Sequence, residues 1–260
     1  MLAEFGYGVL IVTFFLALYG LVMAVYGALA RSGSAVESSR RAMILTWPLI
    51  TTSALSLIYL LVNDHYEVSF VFEVASRDMP AYLKATALWG GQSGSLVFWA
   101  WLMSAFISLV ALRGWERDRE LLPWVVVVTA LTLAFFLSLV VFFENPFLRY
   151  WQTFDGEVIQ AMFKPVRAVP FIPSDGRGLN PLLRHPGMVI HPPLLYLGFV
   201  AFVIPYAFAI AALVANRTDD RWIRLTRRWT LWAWLFLSFG LVLGGRWAYD
   251  VLGWGGYWGW

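Results

Sequence analysis

The sequence predicts an all-α, polytopic integral membrane protein with six transmembrane helices and a long external loop. Apolar residues make up 60% of the 260-residue chain and charged residues only 13%, whereas a typical soluble domain is about 45–50% apolar and about 25% charged. The apolar residues are also gathered into six long runs, each near the roughly 20 residues that a helix needs to cross a bilayer. Because hydrocarbon offers no partners for peptide groups, such runs are expected to be helical.

The six spans are predicted at residues 6–30, 41–62, 93–112, 121–143, 192–215 and 229–248. The first span is not a cleavable signal peptide, because its apolar run is too long and follows Glu4 rather than a basic region. We interpret residues 1–260 as one transmembrane unit with external loops at 63–92 and 144–191. The second loop is long and rich in aromatic residues, so we expect it to fold onto the outer surface.

The orientation of the spans follows from the density of basic residues. The loops after spans 1, 3 and 5 hold eleven arginines in 32 positions, whereas those after spans 2 and 4 hold seven basic residues in 69. The denser side is predicted to be cytoplasmic. The N-terminus, both long loops and the end of span 6 are then outside the cytoplasmic (inner) membrane. The basic and apolar stretch 221–228 is predicted to lie on the membrane surface.

Several functional classes are excluded or disfavoured by composition. The chain has no cysteine, which excludes disulfides, thiolate metal sites and cysteine nucleophiles. Its net charge of only +3 gives no indication of nucleic-acid binding. Phosphate-binding loops and hydrolase or metalloprotease motifs are missing from the sequence. Candidate chemistry is therefore confined to segments on the external side that are rich in histidine, tryptophan and glycine.

The first such segment is centred on His191, which precedes two prolines at the start of span 5. Proline favours the first turn of a helix, and the residue before a proline is biased to extended backbone. His191 is therefore predicted just ahead of the helix, where a neutral imidazole could bind a metal or a haem iron. A helix-capping histidine at the interface remains an alternative. We expect His65 to be a solvated loop residue and His185 to be structural.

The second segment, residues 253–260, alternates aromatic residues with glycines. Glycine lets the backbone approach a flat object closely, and broad aromatic faces suit a planar apolar ligand. An interfacial aromatic belt is the alternative. The candidate ligand-binding residues here are Trp254, Gly255, Gly256, Tyr257, Trp258 and Trp260.

A third segment, Trp89-Gly90-Gly91, repeats the Trp-Gly-Gly triplet ahead of span 3. A glycine-rich turn capped by Ser93 or Ser95 is the alternative interpretation. Arg246 lies four residues before Asp250 at the outer end of span 6, so the two could pair across one helical turn. The planar fork of Arg246 could instead receive a ligand carboxylate.

Taken in order, four segments closely resemble the CcmF family of cytochrome c haem lyase components. They are Trp89-Gly90-Gly91-Gln92-Ser93-Gly94-Ser95, Gly178-Leu179-Asn180-Pro181-Leu182-Leu183, His191-Pro192-Pro193-Leu194-Leu195-Tyr196-Leu197-Gly198, and the run from Trp247-Ala248-Tyr249 to Gly253-Trp254-Gly255-Gly256-Tyr257-Trp258-Gly259-Trp260. One departure is Gln92, which replaces an acidic residue often found in the family.

The resemblance implies an integral membrane subunit that attaches haem to apocytochrome c outside the cytoplasmic membrane. In such proteins haem b arrives from a CcmE-type chaperone and is held under the tryptophan-rich segment with external histidines as axial ligands. It is then joined to apocytochrome c presented by a CcmH-type subunit. His191 stands where the family has its first external haem ligand. Anionic haem propionates would be received by Arg246, Arg184 or Lys164.

The family's tryptophan-rich motif continues beyond the position of Trp260, and the family has further spans. We therefore expect this chain to be part of a longer protein, with the second external histidine and a second, membrane-embedded haem b site lying beyond it. Two other functions stay open: a transporter of haem or another amphiphile, and a scaffold seated in lipid by its aromatic residues. A transporter needs polar residues at mid-membrane, and the main cluster is Thr51, Thr52, Ser53 and Ser56.

Overall fold

A computed structural model describes residues 1–113, 120–217 and 219–253. Within these ranges, six helical segments are long and apolar enough to cross a membrane, which confirms the predicted all-α, six-span architecture. The helices are α1 (Leu2–Leu29), α2 (Gly33–Val62), α3 (Ser69–Val74), α4 (Ala81–Thr86), α5 (Gln92–Leu112), α6 (Leu122–Phe142), α7 (Pro186–Ala201), α8 (Val203–Val214) and α9 (Arg221–Leu252). Helices α7 and α8 together form the fifth span.

Two helices extend well beyond the apolar runs that predicted them. Helix α2 begins at Gly33, where the hydroxyl oxygen of Ser32 accepts a hydrogen bond from the N–H of Ala35 at 3.4 Å. Residues 33–40, predicted as loop, are therefore helical. Helix α9 begins at Arg221, so the stretch 221–228 is the first part of a spanning helix rather than a separate surface segment. Hydropathy identifies only the apolar part of each helix. Both helices extend further, through arginines, which are good helix formers, to their N-terminal cap residues.

The core of the bundle lies among α1, α2, α5 and α6, where Leu10, Leu57 and Leu133 are fully buried. Hydroxyl groups join these helices to one another. Ser53 of α2 donates to the carbonyl of Gly6 in α1 at 3.0 Å. Such small polar residues permit close helix packing in a bilayer, where burial alone gives little drive for association.

A proline inside α2 shows how this bundle deals with an interrupted helix. Pro48 has no N–H to offer the carbonyl of Ile44, four residues earlier. The hydroxyl of Ser108, from α5, donates to the Ile44 carbonyl at 3.3 Å. A side chain from a neighbouring helix thus satisfies the carbonyl that the proline leaves without its main-chain donor.

The fifth span is two helices rather than the single helix predicted at 192–215, with the interruption at Phe202. Pro205 lies four residues after Ala201 and cannot donate to its carbonyl, which accounts for a break at this point. Helix α7 packs on α9 with very little space between the backbones. A Cβ atom added to Gly198 would lie 2.4 Å from the main-chain nitrogen of Leu237, so only glycine permits this approach.

The two long loops are ordered and lie at one end of the bundle, which we call the loop face (residues 63–91 and 144–185). The second loop forms a three-stranded antiparallel sheet in the order β2-β1-β3. Its strands are β1 (Arg149–Gln152), β2 (Val158–Ala161) and β3 (Val169–Pro170). Arg149 contacts Glu4 at 3.0 Å, so the start of α1 is also on the loop face.

The opposite end of the bundle carries the arginine-rich connections. Arg40 donates to the carbonyl of Ala111 at 3.2 Å, and Arg217 pairs with Glu120. Among the described residues, Arg40 and Arg217 of the dense basic loops therefore lie at the end opposite the loop face, as the predicted alternation of spans requires.

Candidate functional site

His191 lies within α7, so the prediction that it stands in extended backbone just before the helix is wrong. The helix begins one His-Pro pair earlier, at Pro186. His185 has the extended conformation, with φ −106° and ψ 146°, and its Nδ1 accepts a hydrogen bond from the N–H of Gly187 at 3.0 Å. The structural role predicted for His185 is therefore that of the helix cap.

A single hydrogen bond defines the protonation pattern of the His191 ring. Its Nδ1 lies 2.8 Å from the carbonyl oxygen of Gly240 in α9. Since a carbonyl oxygen can only accept, Nδ1 must carry the hydrogen, and in the neutral ring Nε2 then has the lone pair. Metal-binding histidines are commonly oriented in this way. The alternative of His191 as a helix cap is not what the structure shows, because His185 holds that position.

The ring of His191 lies directly against the surface of α9. A Cβ atom at Gly244 would be 2.5 Å from its Cε1, so the ring occupies the space that glycine leaves. On the same helix, the Trp247 ring is nearly parallel to the imidazole, with an angle of 20° and 6.2 Å between ring centroids. The Trp247 Nε1 atom is buried, with no hydrogen-bond partner among the described residues. A buried, unpaired donor carries a desolvation cost, and the Nε1 atom of Trp99 in α5 is in the same state.

Trp89 lies beside the first turn of α7 and is bonded to it. Its Nε1 donates to the carbonyl of Met188 at 2.9 Å, and its ring packs on Phe98 with 5.1 Å between ring centroids. The prediction that Ser93 or Ser95 caps the following helix is wrong, because the cap residue of α5 is Gly91 and no side chain caps it. The hydroxyl of Ser95 instead donates to the Trp89 carbonyl at 3.2 Å.

The predicted pairing of Arg246 with Asp250 is confirmed, at 2.8 Å. The Arg246 side chain is 70% exposed and lies one residue from Trp247, at the end of α9 that reaches the loop face. Arg184 is engaged by Asp78 at 2.8 Å and by Ser76 at 3.3 Å. Lys164 is exposed in the second loop. Of the three cations predicted to receive propionates, Arg246 is the one on the helix that contacts the His191 ring.

The tryptophan-rich segment lies outside the described residues from its second residue onward. The ligand-binding roles expected of this segment therefore stay predictions for Trp254, Gly255, Gly256, Tyr257, Trp258 and Trp260. Gly253, with φ +66°, caps α9, and its N–H donates to the carbonyl of Ala248. The segment thus begins at the same end of α9 as the His191–Trp247 pair.

Sequence reasoning missed a charged network that holds the first loop in place. Lys84, only 5% exposed, lies 2.6 Å from Asp64, and the Tyr66 hydroxyl donates to the same carboxylate at 2.8 Å. Burial and the neighbouring carboxylate raise the pKa of Tyr66 above its ordinary value, so the phenol stays protonated and keeps donating. The position of Lys84 among apolar residues in the sequence is the feature that could have indicated a buried ion pair.

A second group of contacts joins the two loops to each other. The hydroxyl of Ser76 and the guanidinium of Arg184 lower the pKa of Asp78, which holds it as a carboxylate. The backbone N–H groups of Arg77 and Gly176 likewise lower the pKa of Asp175. The two loops therefore form one surface around the start of α7.

The polar cluster in α2 is used within the fold. The hydroxyls of Thr51, Thr52 and Ser56 donate to carbonyls of their own helix at 2.7–2.9 Å. Ser53 donates to α1, as described above. All four hydroxyls therefore donate to main-chain carbonyls of α1 or α2. This arrangement gives no support to a polar transport path through this part of the bundle.

The fold and the site together define an integral membrane protein with the side chain of His191 packed against α9 at one end of its helical bundle. Residues 89–260 match the family described as cytochrome C assembly protein. The chain belongs to this family.

Individual relatives give a narrower similarity, and the predicted resemblance to CcmF is confirmed. Over its whole length the chain is 35% identical to the cytochrome c-type biogenesis protein CcmF of Escherichia coli (strain K12), covering 37% of that protein. It is 36% identical to CycK of Bradyrhizobium diazoefficiens, covering 36% of it. A solved structure of the cytochrome c haem lyase CcmF superposes with a TM-score of 0.79 and 26% identity, over 99% of this chain and 38% of that one. The chain thus spans little more than a third of these relatives.

Proposed function

We propose that this chain forms a haem-holding part of a cytochrome c haem lyase of the CcmF type. In this function it receives haem b as a substrate and presents it for covalent attachment to apocytochrome c. The observation that carries the proposal is the hydrogen bond from His191 Nδ1 to the Gly240 carbonyl. It leaves Nε2 with the lone pair that a haem iron requires.

The neighbours of His191 fit a haem group. The parallel Trp247 ring offers an aromatic surface, and its buried Nε1 is an unpaired donor among the described residues. Arg246, which is exposed and is paired with Asp250 through Nε, would use its remaining N–H groups to receive an anionic propionate. The glycine- and aromatic-rich segment that starts at Gly253 begins at the same end of α9. We propose that Trp89, Trp254, Tyr257, Trp258 and Trp260, with Gly255 and Gly256, complete the surroundings of the haem.

The protein's part in the reaction is to bind, orient and shield the haem. A cysteine thiol of the apocytochrome adds across a haem vinyl group, so that sulfur bonds to carbon, the thiol hydrogen saturates the double bond and no group leaves. The reacting thiols belong to the substrate, which is compatible with a chain that has no cysteine. His191 would hold the iron, and the ordered loops would limit access of water.

The loop face is proposed to lie on the external side of the cytoplasmic membrane. The sparse basic residues of its loops, compared with the arginine-rich opposite end, support this orientation. A CcmE-type chaperone would deliver haem there, and a CcmH-type subunit would present the apocytochrome. The resemblance to the CcmF family implies a second, membrane-embedded haem b in the whole protein. Its ligands would lie outside this chain, because the three histidines here, at positions 65, 185 and 191, are all at or near the loop face.

The proposal is tested by the absorption spectrum of the full-length protein purified with its haem. His191→Ala should remove or shift the Soret contribution of haem bound at the loop face and lower the yield of cytochrome c. His65→Ala is the matched control, because His65 contacts Glu67 at 2.9 Å and lies outside the site. A wild-type spectrum and wild-type cytochrome c yield in His191→Ala would refute the ligand role.

A further inference from the structure

We infer that Trp89 is a positioning residue that orients His191 through the carbonyl of Met188, rather than a residue that only contacts haem. The link to haem rests on the proposed function, but the positioning itself is a property of the haem-free protein. Helix α7 lacks main-chain hydrogen bonds at two adjacent positions. Pro192 and Pro193 stand side by side inside this helix, and neither has an N–H.

Each proline removes one bond from the turn that carries His191. In an unbroken helix the N–H of residue 192 would donate to the carbonyl of Met188, and that of residue 193 to the carbonyl of Val189. The turn from Met188 to His191 therefore lacks two of the four main-chain donors that normally fix it to the next turn.

Trp89 supplies a donor where the main chain lacks one. Its indole N–H lies 2.9 Å from the Met188 carbonyl oxygen. Met188 is itself 6% exposed, so a carbonyl left without a partner here would carry a desolvation cost. Ser108 of α5 likewise donates to the Ile44 carbonyl, which Pro48 leaves without its main-chain donor. At both positions a side chain from another part of the bundle replaces the N–H that the proline lacks.

Trp89 is itself held by contacts with α5, the helix that follows it. The Trp89 ring packs on Phe98 of α5, and the main-chain carbonyl of Trp89 accepts a hydrogen bond from the Ser95 hydroxyl. A Cβ at the next residue, Gly90, would lie 2.6 Å from the Leu179 side chain, so this segment is also packed against the second loop. Trp89 therefore connects a rigid support to the turn of α7 that presents His191.

The consequence concerns the ring of His191. Its Nδ1–H reaches Gly240 on α9 only if the preceding turn keeps its position. Losing the indole bond should let the turn relax, lengthen the bond to the Gly240 carbonyl and allow the other tautomer, in which Nε2 carries the hydrogen and cannot bind iron. The structure thus assigns Trp89 an effect on the availability of the Nε2 lone pair.

The test is nitrogen-15 NMR of histidine-labelled, haem-free full-length protein in lipid bilayers, with the His191 signal identified by its absence in His191→Gln. Wild type should show His191 almost entirely with Nδ1 protonated. Trp89→Phe keeps an aromatic ring but loses the N–H. In this variant the fraction of the Nε2-protonated tautomer should rise about fivefold, which corresponds to the loss of one hydrogen bond of about 1 kcal/mol.

Trp101→Phe is a closely matched control. Trp101 also packs on Phe98, at 5.8 Å between ring centroids, and its Nε1 also donates a bond, to Thr51 at 2.8 Å. That bond does not involve α7, so this variant should keep the wild-type tautomer.

A second variant tests the mechanism by rescue. Pro192→Ala restores an N–H that can reach the Met188 carbonyl, so Trp89→Phe combined with Pro192→Ala should regain the wild-type tautomer. If Trp89→Phe lowers the yield of folded protein, recovery of yield and tautomer in the double variant supports the inference. An unchanged tautomer in Trp89→Phe, an equal shift in Trp101→Phe, or no recovery in the double variant would overturn it. Because no haem is present, none of these outcomes bears on the ligand role tested by His191→Ala.

Discussion

At the scale of single residues, the contact between His191 and α9 is the central feature of the proposed site. The sequence drew attention to His191 because it precedes two prolines, and the structure places its ring against α9 with Nδ1 bonded to the Gly240 carbonyl. Its tautomer could not be predicted, because the acceptor at Gly240 is 49 residues away in the chain. A local pattern carries no information about which distant carbonyl a side chain meets.

Gly244 provides a test of this contact, since it leaves the space in which the imidazole lies. Gly244→Ala would place a Cβ 2.5 Å from His191 Cε1, and such overpacking typically costs about 1–3 kcal/mol. We expect weaker haem binding and a lower thermal unfolding temperature for the full-length protein.

Gly8→Ala is the control for this substitution. Gly8 lies inside α1, and a Cβ there would meet no atom within 4 Å. Alanine is favoured over glycine in a helix by roughly 0.5–1 kcal/mol, so this variant should be at least as stable as wild type and bind haem equally well. Equal haem binding in Gly244→Ala would contradict the observed position of the imidazole.

At the scale of elements, the expectation drawn from the proline rule at His191 is wrong, although the same rule describes His185, to which it was not applied. The residue before a proline is extended at His185 but helical at His191. The difference is tertiary, because the Trp89 indole bonds to the carbonyl that Pro192 leaves without its main-chain donor. Hydropathy located all six spans, yet it missed the interruption at Phe202 and the polar ends of α2 and α9.

The second loop was also predictable only in part from the sequence. Its length and aromatic content predicted that it folds, but not that it forms a three-stranded sheet. Strand β1 pairs with both other strands, and the ion pair of Arg149 with Glu4 spans 145 positions. Pairings over such distances follow from the closed bundle and are not encoded in a short pattern.

At the scale of the whole molecule, the proposed haem attachment requires that the loop face lies outside the cytoplasmic membrane. The natural lack of cysteine in this chain makes single-cysteine labelling straightforward. Phe154, which is 90% exposed, marks the loop face, and Ser34, at the opposite end, is also exposed.

We expect a membrane-impermeant maleimide to label Phe154→Cys in intact spheroplasts, because its target is on the outer surface. Ser34→Cys should react only after the membrane is permeabilised. The reverse pattern would place His191 on the cytoplasmic side, where haem could not be presented to an external apocytochrome.

The most direct measurement for the central claim is chemical rescue of the iron ligand. In the full-length protein, His191→Gly should lose the low-spin spectrum of haem bound at the loop face, and added imidazole should restore it by supplying the missing nitrogen. The same treatment of His65→Gly should change nothing. If His191→Gly keeps the wild-type haem spectrum without imidazole, His191 is not the ligand and the proposed function of this site is wrong.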